Sequence, residues 1–218
     1  MSKFNVTTQK CNICGRENEV TILTQAQSLG TADLDFRPAE VRRSAMPLWV
    51  KKCDYCRNVF SVTDPMPDYP PKYVDSKEFI NCGGIAGLPD LGKKYVRLAL
   101  IYVKAQEHRR AGNAYLCAAW ACDDEKLDVT ASICRKKALE CYNNVDGRKL
   151  SKRELDEFML RILDMLRRAG MFEEAIEFSR ELDFENDQYF KMCEFGRKKA
   201  EERDKACYKI SDIGEYEG

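Results

Sequence analysis

The chain has 218 residues, 36 basic and 36 acidic side chains, and an apolar fraction of 44%. That composition supports a folded core and excludes wholesale disorder, and no apolar run approaches the roughly 18–20 residues of a membrane span. The charge balance also holds regionally, with 11 basic and 11 acidic side chains in residues 1–91 and 25 of each in 92–218, so neither half carries the positive field that captures phosphates.

The N-terminus, Met1 to Thr8, has no apolar signal core, which predicts a cytoplasmic protein with no membrane partner. Eleven cysteines form an odd set, and in a reducing compartment they argue against a disulfide framework. Cys11, Cys14, Cys53 and Cys56 make two C-x-x-C pairs, 38 residues apart. Between and after them, Val20–Thr24, Leu48–Lys51 and Asn58–Val62 read as short strands. Three such strands are too few to hold themselves. Two C-x-x-C turns aimed at one point close a tetrahedral four-thiolate shell, for which zinc is the usual occupant. The expected cofactor is therefore one structural Zn²⁺. A rubredoxin-like iron centre and four free thiols are the alternatives. Lys10, Arg16, Lys51, Lys52 and Arg57 flank the pairs, either offsetting the negative thiolate cluster or contacting nucleic acid.

The stretch from Gly30 to Ser44 is dense in charge. Asp33, Asp35, Arg37 and Arg43 read either as a solvated loop or as a polar network, serving a small ligand or a contact with the rest of the chain. Five of the seven prolines lie between Pro65 and Pro89, which predicts a Pro/Gly-rich connector over 65–91, extended over Asp64–Pro71 and irregular beyond it. Gly87–Lys94 nearly fits a phosphate-binding loop, but Lys94 stands where Ser or Thr would hold magnesium. Cys82 is the one extra cysteine in this region, and nothing nearby would activate it.

Residues 92–218 read as consecutive helices. Tyr95, Leu98, Ala99 and Tyr102 mark the first face; Cys117, Trp120 and Ala121 mark a short second helix; Ala131, Cys134, Ala138, Cys141 and Tyr142 mark a third. Ser151–Glu154 is a capping box opening a fourth helix, with Leu150 and Leu155 at the staple positions. Two more helices are predicted over about 172–182 and 187–207. Gly112, Gly147 and Gly170 read as helix stops and Gly196 as a site of close packing. Arg135-Lys136-Lys137 reads as a solvated helix face. Gly170, Phe172 and Ala175 match the middle of a tetratricopeptide repeat, although no strict 34-residue period is present. His108, the only histidine, leaves no second one for a metal or relay site.

The order Cys11-x2-Cys14, Asp33-Leu34-Asp35-Phe36-Arg37-Pro38, Arg43-Ser44, Trp49, Cys53-x2-Cys56 and then Ala118-Ala119-Trp120 resembles a bacterial family of uncharacterised proteins with a zinc-ribbon-like start and a tetratricopeptide-like helical end. The resemblance covers most of residues 8–180. Arg57 stands where that pattern has glycine. It implies a fold and a metal but no reaction.

The predicted architecture is mostly α with a small β part. A zinc-ribbon-like metal-binding domain over 1–64 and a connector over 65–91 precede a domain of antiparallel helical hairpins, tetratricopeptide-like, over 92–218. The expected function is a non-enzymatic, zinc-binding protein-interaction module with an unidentified protein or peptide partner. The alternatives are a nucleic-acid-binding zinc ribbon, less favoured by the charge balance, and a small-ligand sensor or enzyme centred on Asp33, Asp35 and Arg37.

Overall fold

The computed structural model describes residues 2–214. Its architecture is mostly α with a small β part. β1 (Lys3–Lys10) and β2 (Glu17–Gln25) form one antiparallel hairpin, with Lys10 opposite Glu17 at the turn. β3 (Val50–Lys52) and β4 (Val59–Ser61) form a second, with Val50 opposite Ser61. Seven helices follow: α1 (Lys77–Ile80), α2 (Asp90–Lys104), α3 (His108–Asp124), α4 (Asp128–Tyr142), α5 (Lys152–Ala169), α6 (Phe172–Arg180) and α7 (Asp187–Glu201).

β1 was not foreseen. Nearly all its side chains are exposed, so its sequence lacks the alternation that marks a half-buried strand. α3, at 17 residues, is longer than the short second helix that the sequence predicts. Gly112 does not stop it. This glycine lies inside α3, where an added Cβ would come within 2.2 Å of the Tyr142 ring on α4. The missing side chain lets α3 and α4 approach closely. Gly170 does end α5, in the left-handed conformation with φ 79°, and Gly196 packs against Leu163 as expected. The Ser151–Glu154 capping box is present.

One turn recurs between helices. Gln106, Lys126 and Gly170 all adopt positive φ. The next residue's amide (Glu107, Leu127, Met171) donates to the carbonyl of Tyr102, Cys122 or Leu166, at 2.9–3.0 Å. This is the bond that closes a Schellman cap. Each of those residues then leads straight into the next helix, whose fourth residue is a buried alanine: Ala111, Ala131 and Ala175 donate their amides to the carbonyls of Glu107, Leu127 and Met171. So short a connection makes α2–α3, α3–α4 and α5–α6 antiparallel hairpins.

A main apolar core runs from Leu34, Met46, Val50 and Val59 through the helices to Ile213. Beyond Pro70 the proline-rich segment is locally helical rather than irregular. It contains α1 and short helical turns, and it buries Val74, Phe79, Cys82 and Leu88. A second cluster is much smaller, consisting of Cys11, Val20, Cys53 and Phe60. No described helix is long and apolar enough to cross a membrane.

Candidate metal centre

Each C-x-x-C pair sits in the turn of one hairpin, and the two turns are built alike. Cys11 donates its amide to the Arg16 carbonyl and Cys53 to the Asn58 carbonyl, both at 2.9 Å. These bonds fold five residues back on themselves and direct both sulfurs of each pair to the same side. Gly15, with φ 71°, supplies the left-handed step in the first turn.

The four sulfurs lie within 4.8 Å of one another. Cys11 Sγ to Cys56 Sγ is 3.8 Å and Cys14 Sγ to Cys53 Sγ is 3.6 Å. A disulfide would need ~2.05 Å. A tetrahedral ion with sulfur bonds of ~2.3 Å separates its ligands by ~3.8 Å. The spacing therefore fits four ligands around one ion, and the cluster can hold a metal.

Two buried asparagines support it. Asn58 donates through Nδ2 to Cys11 Sγ at 3.3 Å and to Asn12 Oδ1 at 2.9 Å, and its Oδ1 accepts from the Tyr69 hydroxyl at 2.5 Å. Asn18 Oδ1 accepts the Asp54 amide at 2.8 Å while its Nδ2 donates to the Arg16 carbonyl at 3.0 Å, bracing one turn against the other. Both asparagines were missed in the sequence. Asn58 was legible only as part of a strand, and Asn18 is a polar residue in a polar run. Such partners orient the ligands of a metal site.

Without a metal the thiols differ from one another. Burial opposes ionisation of Cys53, but the amides of Tyr55 and Cys56 outweigh it and bring the thiol down to about 7. Burial pushes Cys56 up to about 12, helped by the neighbouring sulfurs. Elsewhere, burial raises Cys117 to about 12 and Cys141 and Cys193 to about 11. Those thiols stay protonated at neutral pH and pack as apolar groups. Cys82 is also buried and raised.

The flanking bases are partly engaged. Lys51 pairs with Asp54 at 3.0 Å and Arg57 with Asp75 at 2.6 Å, and the Arg16 guanidinium lies over the Tyr55 ring.

The charged loop between the pairs lies against the helices and the C-terminal segment. Asp35 is fully buried. Its carboxylate accepts from Trp120 Nε1 at 2.8 Å, from Arg168 Nη1 at 3.1 Å and from the Arg37 amide at 3.2 Å. Burial acts to raise its pKa, but the charges of Arg168 and Arg135 and these hydrogen bonds hold it below the usual carboxylate range. Arg37 donates to Asp124 at 2.6 Å. Burial opposes its charge, and Asp124 outweighs that, so its pKa is raised. Arg43 bridges the Pro38 carbonyl, at 3.0 Å, and Asp33, whose other oxygen accepts from Cys207 Sγ at 3.2 Å. The loop backbone pairs with the tail as well: Leu34 donates to Tyr208 and Ile210 to Ala32, at 3.0 and 2.8 Å.

Three residues of this network were missed in the sequence: Arg168, which bonds Asp35 of the loop, and Asp123 and Arg135 behind it. Arg135 does not belong to a solvated face. It is buried, makes a two-pronged pair with Asp123, and shares that carboxylate with Arg168. The helical period could have found it, since Arg135 falls with Ala131, Cys134 and Ala138 on one face.

Comparisons of this chain with protein-family models, with curated proteins and with solved structures find no match. Of the resemblance drawn from the sequence, what stands is the clustering of the four cysteines and the helical C-terminal part.

Proposed function

We propose that the protein is a non-enzymatic interaction module, held in shape at one end by a structural zinc ion and presenting its helical hairpins to a protein or peptide partner. The observation that carries the metal half is the tetrad of sulfurs at ligand spacing on two matching hairpin turns. Four thiolates complete the tetrahedral shell of zinc and leave no position for substrate water, so the ion's role is structural. Its binding energy stabilises a cluster of four apolar residues that is too small to hold two hairpins alone.

The interaction half rests on the recurring hairpin turn, since stacked helical hairpins offer extended surfaces to partners. It is favoured over a ligand sensor on the charged loop because Asp33, Asp35, Arg37 and Arg43 all spend their charged groups on partners within the chain. It is favoured over nucleic-acid binding because two of the bases beside the metal centre are already ion-paired and the chain has no net charge.

Two measurements test this. Metal analysis of the full chain, purified without chelator, should return one zinc per chain and a colourless protein; an absence of zinc, or the colour of an iron–thiolate centre, refutes the metal assignment. Selection of a random peptide library on the zinc-loaded chain should enrich sequences that bind it in solution. Failure to enrich any sequence refutes the interaction reading.

A further inference from the structure

A cavity of about 690 Å³ lies away from the four clustered cysteines. It opens between the end of α3, the first turns of α4, the end of α5 and the tail at Lys205–Cys207. Its size is that of a ligand site rather than a packing defect.

The chemistry of its lining is uneven. Arg135 and Arg168 are both buried there, bound to Asp123, and each keeps a buried Nε that no acceptor reaches. Around them stand Lys126, Lys136 and Lys205, which are exposed and make no ion pair among the described residues. Lys205 Nζ lies over the Phe172 ring, 5.8 Å from its centroid. Asp128 is the one lining carboxylate besides Asp123. In a chain of zero net charge, three unpaired ammonium groups around one cavity form a local positive field.

The same cavity has an apolar wall. Val129 and Ile133, one turn apart on α4, are 77% and 38% exposed. Large apolar side chains left in water beside an unpaired charged rim are the two halves of an interaction site.

We infer that this groove on α4 binds an acidic peptide segment, with the peptide's carboxylates on Lys126, Lys136 and Lys205 and an apolar side chain against Val129 and Ile133. The inference rests on the interaction reading above and names the partner's chemistry. A bare phosphate would leave the apolar wall in water. A nucleic acid would look for stacking partners, and none of the lining side chains is aromatic.

The test uses the zinc-loaded full chain and a fluorescein-labelled peptide of repeated Glu-Glu-Leu, followed by fluorescence polarisation. The peptide should bind, with affinity falling as salt rises, and a Gln-Gln-Leu counterpart should bind about tenfold more weakly or worse. Reversing three rim charges should make Lys126→Glu/Lys136→Glu/Lys205→Glu about tenfold weaker as well, ~1.4 kcal/mol. All three positions are exposed, so the variant should keep its far-UV spectrum and urea midpoint. Val129→Asp is a second variant; it sits in the first turn of α4, where an acidic residue suits the helix, and it should weaken binding several-fold. Binding that survives both variants overturns the site. So does displacement of the peptide by inorganic phosphate or an oligothymidylate at matching concentrations. The library selection keeps the two readings apart. Enriched peptides that are not acidic, or that ignore the lysine reversals, overturn this groove and leave the interaction module standing; an empty selection removes both.

Discussion

Replacing Arg168 by methionine keeps the stem of the side chain and removes a guanidinium that is nearly buried between two carboxylates. Its Nη1 reaches Asp35 at 3.1 Å and its Nη2 reaches Asp123 at 2.8 Å. Asp123 would keep Arg135. Asp35 would keep Trp120 Nε1 and the Arg37 amide but lose the largest charge that offsets its burial. A buried ion left without its partner costs about 3–5 kcal/mol, a large part of the ~5–15 kcal/mol that holds a typical domain. The sign of the pH dependence follows from Asp35. Its folded pKa is depressed, so its stabilising contribution is present above the unfolded value of ~3.9 and is lost as pH falls through the folded value. In Arg168→Met burial gains the upper hand and the Asp35 pKa rises. The cost of the variant should then be greatest near neutral pH and shrink toward pH ~4, as Asp35 takes up a proton and no longer needs a cation. Urea unfolding followed by far-UV circular dichroism at both pH values measures this. Asp35→Asn/Arg168→Met should recover part of the loss at neutral pH, because the amide oxygen still accepts from Trp120 without a charge to compensate. A loss under ~1 kcal/mol for Arg168→Met, the scale of a solvated pair, would refute the reasoning, as would a double variant less stable than the single one.

Chelating the metal should strip amide protection from β1, β2 and the two cysteine turns first, leaving the helices and residues 31–45 protected; hydrogen exchange read by mass spectrometry checks this, and uniform loss along the chain contradicts it. Gly112→Ala should destabilise by about 1–3 kcal/mol through overpacking despite alanine's better helix propensity, because the Tyr142 ring it meets is held by Asn113 and edge-on against Phe158; a raised urea midpoint would contradict the close-packing role. Trp120→Phe keeps a large ring but removes the Nε1 donor from a buried carboxylate, so it should cost about 1–3 kcal/mol, and an unchanged midpoint would show that the bond is dispensable.

What the sequence disclosed and what it hid divide along physical lines. The cysteine pairs were legible because C-x-x-C spacing is a local property of a turn, and the α5 start because a capping box uses residues three apart. Gly170 was legible because glycine is the usual residue at positive φ. The same turn at Gln106 and Lys126 carries no glycine, and that substitution conceals the repetition of the hairpins. Gly112 misled for a related reason: inside a helix its role is set by a ring on the neighbouring helix, which no local pattern records. The partners of Asp35 and Arg37 come from α3 and α5, more than 80 residues away, so the charged loop could be recognised as unusual without its purpose being visible.

The metal centre and the charged loop act on different parts of the core, and their magnitudes say how they are coupled. The ion would close a segment of 38 residues between Cys14 and Cys53. Releasing that closure returns roughly (3/2)RT ln n, about 3 kcal/mol, to the unfolded chain. The segment is also anchored in its middle, by Asp35 to Trp120 and Arg168, by Arg37 to Asp124, and by its backbone to Tyr208 and Ile210. One buried ionic anchor of this kind resists loss by as much as the closure term or more. Leu34 and Met46, at either end of the charged stretch, belong to the main core, and Tyr95 on α2 donates its hydroxyl to the Met46 carbonyl at 2.6 Å. Among the described residues the hairpin β1–β2 has no buried ionic anchor: it is held by its braces at the metal turns, the Gln9 bond to the Ser61 carbonyl, the contact of β2 with the Met46–Leu48 turn, and the small cluster around Cys11, Val20, Cys53 and Phe60. The loop therefore holds its place by its own charges, and the stabilisation from an ion would fall chiefly on the two hairpins whose turns supply the sulfurs.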